Sequence, residues 1–168
     1  YRDDIWYVGT LERTAWVDRG IVPYPIAAGA DNYLYYHEFG LDDGSTSPSS
    51  AINSYIESSQ LSLQDGERFV SLQKIIPDLT FDGSTSSSPS AVFTLKARNF
   101  PGGAYLQSKD STVTQSASET STVVEQFTEQ VNVRLRGRSF ALKVESSDTE
   151  VQWRLGSPRV ELRQDGRR

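Results

Sequence analysis

The chain has 168 residues, 17 Lys+Arg against 22 Asp+Glu for a formal net charge of −5, no cysteine, no methionine and one histidine. Those counts exclude disulfides, thiolate nucleophiles, cysteine metal sites and a multi-histidine zinc site within one chain, and the acidic balance lacks the basic footprint of a free nucleic-acid binder. With 36% hydrophobic and 11% aromatic residues, a length suited to one domain, or one domain with appendages, can still bury a core.

The chain opens on Tyr1 and holds no methionine, so it reads as a fragment or processed product of a longer polypeptide. Residues 1–20 carry Arg2, Asp3, Asp4, Glu12, Arg13, Asp18 and Arg19, unlike a signal peptide. No apolar run approaches the roughly 20 residues that span a bilayer, so no membrane span is expected. Strands are expected at residues 5–8, 15–17 and 33–38, and the short Ser-rich stretch 49–55 is the one helix candidate. Residues 69–76, ended by Pro77-Asp78, predict another strand. Ala91, Phe93, Leu95 and Ala97 then alternate with Val92, Thr94, Lys96 and Arg98 before the turn-forming Asn99-Phe100-Pro101-Gly102-Gly103.

In the last third, Val131, Val133 and Leu135 face one way while Asn132, Arg134 and Arg136 face the other. After Arg136-Gly137-Arg138-Ser139, which reads as a tight hairpin turn, the pattern resumes with Phe140, Leu142 and Val144. Residues 151–155 and 160–163 repeat it around Gly156-Ser157-Pro158, predicting a four-stranded antiparallel meander. Ser/Thr-rich stretches at 44–50, 83–90 and 108–122 read as loops or long hairpin arms. The third also reads as an extended ribbon, since Thr112-Val113-Thr114 and Thr122-Val123-Val124 are good strand formers. The expected fold is all-β: an antiparallel sandwich or barrel of about eight to ten strands with long polar loops. It divides into parts 1–82 and 83–168 of one compact unit.

No residue pattern carries a catalytic, metal or cofactor signature. His37-Glu38 is the one imidazole beside a carboxylate, but it has neither a nucleophile elbow nor HExxH spacing, and the ring is expected to hydrogen-bond within a sheet or a subunit contact. Asp42-Asp43-Gly44 resembles half a calcium loop and lacks the alternating ligands and closing glutamate, so it reads as a turn. Glu57 and Asp65 are two of many carboxylates that could be paired for glycoside hydrolysis. Trp6, Tyr7, Trp16, Tyr33, Tyr35, Tyr36 and Tyr55 gather the aromatics in the first third, where they suit buried strands, subunit interfaces or sugar stacking. Gly156, Gly166 and Arg167-Arg168 form no phosphate cradle.

Charge is uneven. Residues 132–168 hold nine Lys+Arg against five Asp+Glu, a balance of +4 that leaves −9 for the rest. A basic end on an acidic body reads as solvated strand faces, as a surface that pairs with copies of the chain, or as a local anion site.

The ordered segments Trp6-Tyr7-Val8-Gly9 through Trp16-Val17-Asp18, Tyr36-His37-Glu38-Phe39-Gly40-Leu41-Asp42-Asp43-Gly44, Tyr55-Ile56-Glu57-Ser58 and Lys74-Ile75-Ile76-Pro77-Asp78 lead to a distinctive ending. That ending comprises Arg136-Gly137-Arg138-Ser139-Phe140-Ala141-Leu142-Lys143-Val144, Gln152-Trp153-Arg154-Leu155-Gly156-Ser157-Pro158-Arg159 and Asp165-Gly166-Arg167-Arg168. Together they resemble the C-terminal part of the nozzle or tail-tubular proteins of short-tailed bacteriophages. The resemblance implies a non-enzymatic structural role in the virion tail, in a protein made in the host bacterial cytoplasm. It implies a homo-oligomeric ring, commonly six-fold, beside tail adaptor and fibre proteins, passing double-stranded DNA during ejection without sequence-specific binding. Residues 5–38 would be propeller-like or part of the same sandwich. Arg134, Arg136, Arg154 and Arg159, at strand positions alternating with apolar residues, are the expected subunit-interface side chains. The rival expectation is a carbohydrate-binding β-domain of a tail fibre or surface protein.

Overall fold

The computed structural model describes residues 11–62, 66–100, 103, 105 and 118–166. The expected strand at 5–8, Trp6, Tyr7, Asp65, Thr112-Val113-Thr114 and Arg167-Arg168 lie outside the described residues. The protein is all-β, with thirteen strands among the described residues in antiparallel sheets. It divides into two compact units, Tyr1–Gly40 and Leu41–Arg168.

In the first unit β1 (Arg13–Val17), β2 (Ile26–Gly29) and β3 (Leu34–Tyr36) pair antiparallel in chain order, with Trp16 opposite Ala27 and Ala27 opposite Tyr35. The third strand is shorter than the expected 33–38 because Glu38 adopts φ +56, a left-handed conformation that turns the chain out of the sheet.

The second unit is built on a long alternation. β6 (Val70–Ile76), β8 (Ser90–Arg98), β10 (Val131–Gly137) and β11 (Ser139–Ser146) send Val70, Leu72, Ile75, Phe93, Leu95, Val133, Leu135, Phe140 and Val144 into one buried cluster, following the period-two pattern except in β6, where a register irregularity after Leu72 brings Ile75 inward. One sheet has the order β10-β6-β13, where β13 is Arg159–Gln164. The other runs β4-β11-β8-β9, with β4 at Ser54–Glu57 and β9 at Glu119–Glu125, and β5 (Leu61–Ser62) also pairs β11. β12 (Arg154–Leu155) pairs β7 (Leu79–Thr80). β4 and β5 share one flank of β11, and between them Ser58 continues the ladder: its N–H donates to the Leu142 carbonyl at 2.9 Å, and its Oγ accepts the Leu142 N–H at 3.0 Å.

Two expectations are corrected. Residues 49–55 form no helix: Ser50 bridges Asp43 and Ser54 opens β4, because β11 offers these residues a row of cross-strand hydrogen bonds. The C-terminal meander is absent, since β10 pairs β6 while β11 pairs β8, β4 and β5. Arg136-Gly137-Arg138-Ser139 is thus a corner at which a nearly continuous strand passes from one sheet to the other. A Cβ at Gly137 would lie 2.9 Å from Ala97 Cβ and 2.9 Å from the Arg98 carbonyl oxygen, so glycine lets the corner press against β8 while the Arg138 N–H donates to that carbonyl at 2.7 Å. The two units divide after Gly40, and the core of the second holds Phe81 and Phe93 together.

The Ser/Thr-rich stretch 83–90 has no strand before Ser90 and is tied to residues 146–152. Ser84 Oγ bonds the backbone of Gln152 as donor and acceptor, both at 2.9 Å. The Thr85 and Ser86 N–H groups donate to the Glu150 carbonyl, and Ser90 Oγ donates to Asp148 at 2.7 Å. Of the third stretch, residues 119–122 belong to β9, paired along β8.

Candidate functional site

Period-two alternation in β10 turns Asn132, Arg134 and Arg136 outward and buries Val133 and Leu135. Beside it, β6 changes register against β10 between Asn132 and Leu135 and against β13 between Glu161 and Leu162, both opposite the stretch from Leu72 to Lys74. Such an irregularity bends a sheet, and an open concavity of about 780 Å³ lies here, lined by Ser71 and Gln73 together with Asn132 to Arg136. A smaller one of about 270 Å³ shares Arg134, Leu135 and Arg136 and adds Asn99 and Ser118.

The four expected arginines separate. Arg134 and Arg136 meet at this concavity, while Arg154 stands opposite Thr80 and Arg159 opposite Ile76. Arg134, Arg154 and Arg159 are exposed, with no hydrogen bond or ion pair among the described residues. Arg136 is engaged within its own chain: Nε donates to the Asp165 carboxylate and a terminal nitrogen to the Asp165 carbonyl at 3.3 Å. Its guanidinium lies 4.1 Å from the Phe69 ring centroid, and that of Arg138 lies 4.8 Å away, within cation–π range.

The same sheet carries a charged cluster that sequence reasoning did not select. Ser71 stands between Arg136 and Arg163 across the three strands. Glu161 accepts from Arg163 at 2.9 Å and pairs with Lys74 at 3.3 Å; these two hydrogen-bonded cations hold its carboxyl below the ordinary glutamate range. The alternation of Arg159, Glu161 and Arg163 was visible, but the pairing of β13 with β6 was not.

His37 accepts a hydrogen bond at Nε2 from Arg13 Nε at 3.2 Å, and its ring centroid lies 4.4 Å from that of Trp16. Burial and then the Arg13 charge lower its pKa, against a raising influence of Glu38. Arg13 also lies 4.1 Å from the Tyr35 ring centroid, and the Tyr35 hydroxyl donates to Asp31, lowering that carboxyl's pKa. Tyr24, Tyr36 and Phe39 form a second aromatic group, with Tyr24 edge-on to Phe39 at 4.9 Å.

Asp42 Oδ1 accepts the Glu150 N–H at 2.6 Å, and Asp43 Oδ1 accepts the Ser45 N–H at 2.9 Å, an Asx-type turn. Glu57 is paired with Lys96 at 2.8 Å. No group of three or more His, Cys, Asp or Glu side chains suited to a metal ion occurs among the described residues. No helix among them is long and apolar enough to cross a membrane. Comparison of the chain with models of protein families and with curated proteins finds no match.

Proposed function

We propose that the protein is a non-enzymatic structural component of a bacteriophage virion tail, a ring-forming nozzle subunit that contributes to the DNA-ejection channel. The observation that carries this reading is the unsatisfied surface of the first unit. Ala27 is the one buried hydrophobic among its described residues, whereas Trp16, Val17, Ile21, Tyr33, Leu34, Tyr36 and Phe39 are all more than half exposed. Large apolar surface of this kind marks protein contacts, and a small sheet without a buried face is marginal alone. The guanidinium groups of Arg134, Arg154 and Arg159, unpaired among the described residues, suit bidentate contacts to carboxylates on a neighbour. The order of sequence segments that resembles nozzle proteins supplies the particular assembly.

Mass photometry with negative-stain imaging of the protein tests the reading. Closed rings or tubes with a central channel are expected; dispersed monomers or trimeric spikes overturn it. The exposed rings of Trp16, Tyr33 and Tyr36 favour a second reading, a carbohydrate-binding β-domain. A glycan array separates the two, because a nozzle subunit shows no saccharide preference.

A further inference from the structure

The turn between β9 and β10 is closed by two hydrogen bonds and carries an exposed aromatic ring. The Thr128 N–H donates to the Glu125 carbonyl at 3.1 Å, and Thr128 Oγ1 accepts the Glu125 N–H at 3.0 Å, closing the turn on both sides. Its tip is Phe127, 87% exposed, with the exposed Glu125 and Glu129 on either side. An aromatic held out in water by a closed turn loses little further freedom on docking, and aromatic side chains are frequent anchors of interfaces.

Beside β10 lies the concavity of about 780 Å³ lined in part by Gln73, Asn132 and Arg134, with Arg134 unpaired among the described residues. The projection carries two carboxylates around an aromatic ring; the concavity offers an available guanidinium and side-chain amides beside the backbone of β10. We infer that the Glu125–Glu129 turn of one copy docks in the Arg134 concavity of a second copy of this chain. This rests on the ring reading above and names the contact within it. Projection and receptor are different patches, so the contact is heterologous and closes into a ring when its rotation permits.

The occupant follows from charge and shape on the same molecule. Glu125 and Glu129 flank the exposed Phe127 on the turn, and the concavity presents the exposed Arg134, so the two patches are complementary in charge. Phe127 is solvent-exposed on its own chain and leaves the concavity beside its own β10 open.

Sedimentation velocity of the 168-residue chain over a concentration series, at low and high salt, tests the contact. Phe127→Ser, Glu129→Lys and Arg134→Glu each alter an exposed side chain, and melting curves confirm that each variant folds. Each is expected to weaken self-association by about tenfold or more, the scale of a lost interfacial anchor or charge pair. The double variant Glu129→Lys with Arg134→Glu restores complementarity and is expected to recover association to within about threefold. Self-association that survives all three single variants, or a double variant no better than the singles, overturns the contact and leaves the ring reading standing. A wild-type chain that stays monomeric throughout overturns both.

Discussion

Arg13 donates to Nε2 of His37 at 3.2 Å, which requires that nitrogen to be unprotonated. Burial and the neighbouring guanidinium both disfavour the imidazolium and set the folded-state pKa below the ordinary 6.5. Between the two values the unfolded chain binds more protons than the folded one. The contribution of His37 to stability is therefore intact above about pH 6.5 and declines as pH falls through that window. Because the chain has a single histidine, its Hε1 proton resonance reports the titration directly, and a midpoint at or above 6.5 contradicts the geometry. Asp78 is the second informative residue. Its carbonyl accepts the Gly156 N–H at 2.8 Å and Oδ2 the Ser157 N–H at 2.7 Å, clasping together two segments that lie far apart in sequence. Asp78→Ala removes that acceptor from the exposed Ser157 N–H, which water then solvates, and is expected to cost about 0.5–1 kcal/mol in urea denaturation. Asp78→Asn keeps an acceptor and loses less.

At the scale of elements, the passage from β10 to β11 decides the topology. Both strands and their inward faces were legible in the sequence, since Val133, Leu135, Phe140 and Val144 are all buried. The connection was not, because a glycine flanked by arginines suits a hairpin turn as well as a corner. What selects the corner is the backbone of β8, whose Arg98 carbonyl receives the Arg138 N–H at 2.7 Å. Gly137→Ala is expected to cost about 1–3 kcal/mol through the clash of its Cβ with Ala97 and Arg98. Adding Ala97→Gly relieves one of the two contacts and recovers part of the loss; a Gly137→Ala protein as stable as wild type shows that the corner has room. The small elements β4, β5 and β7 escaped the sequence because two to four residues show no period, and each is ordered only by the strand it joins; β12 falls within the expected strand 151–155.

For the whole molecule, the buried hydrophobic cluster lies entirely within residues 41–168. Hydrogen exchange is therefore expected to be slowest in β6, β8 and β11, which hold the fully buried Leu72, Phe93 and Val144, and fastest in β1 to β3. Equal protection in both units contradicts this. Phe93→Ala removes the largest fully buried side chain and is expected to cost about 3–5 kcal/mol.

The all-β class, the inward faces of the long strands, the turn at Asp42-Asp43 and the outward direction of Arg134 and Arg136 were all legible in residue order. Each follows from residue type and a two-residue period, which are local properties of the chain. Tertiary structure alone decided which strands are neighbours, where the chain divides and which arginines share a surface. Arg134 and Arg136 meet Ser71 and Gln73 because β10 pairs β6, while Arg163 joins that face through the pairing of β13 with β6. Those partners lie tens of residues apart in sequence. Strand pairing across such separations is set by the joint burial of two sheets' inner faces, a property of the assembled core that no single segment encodes.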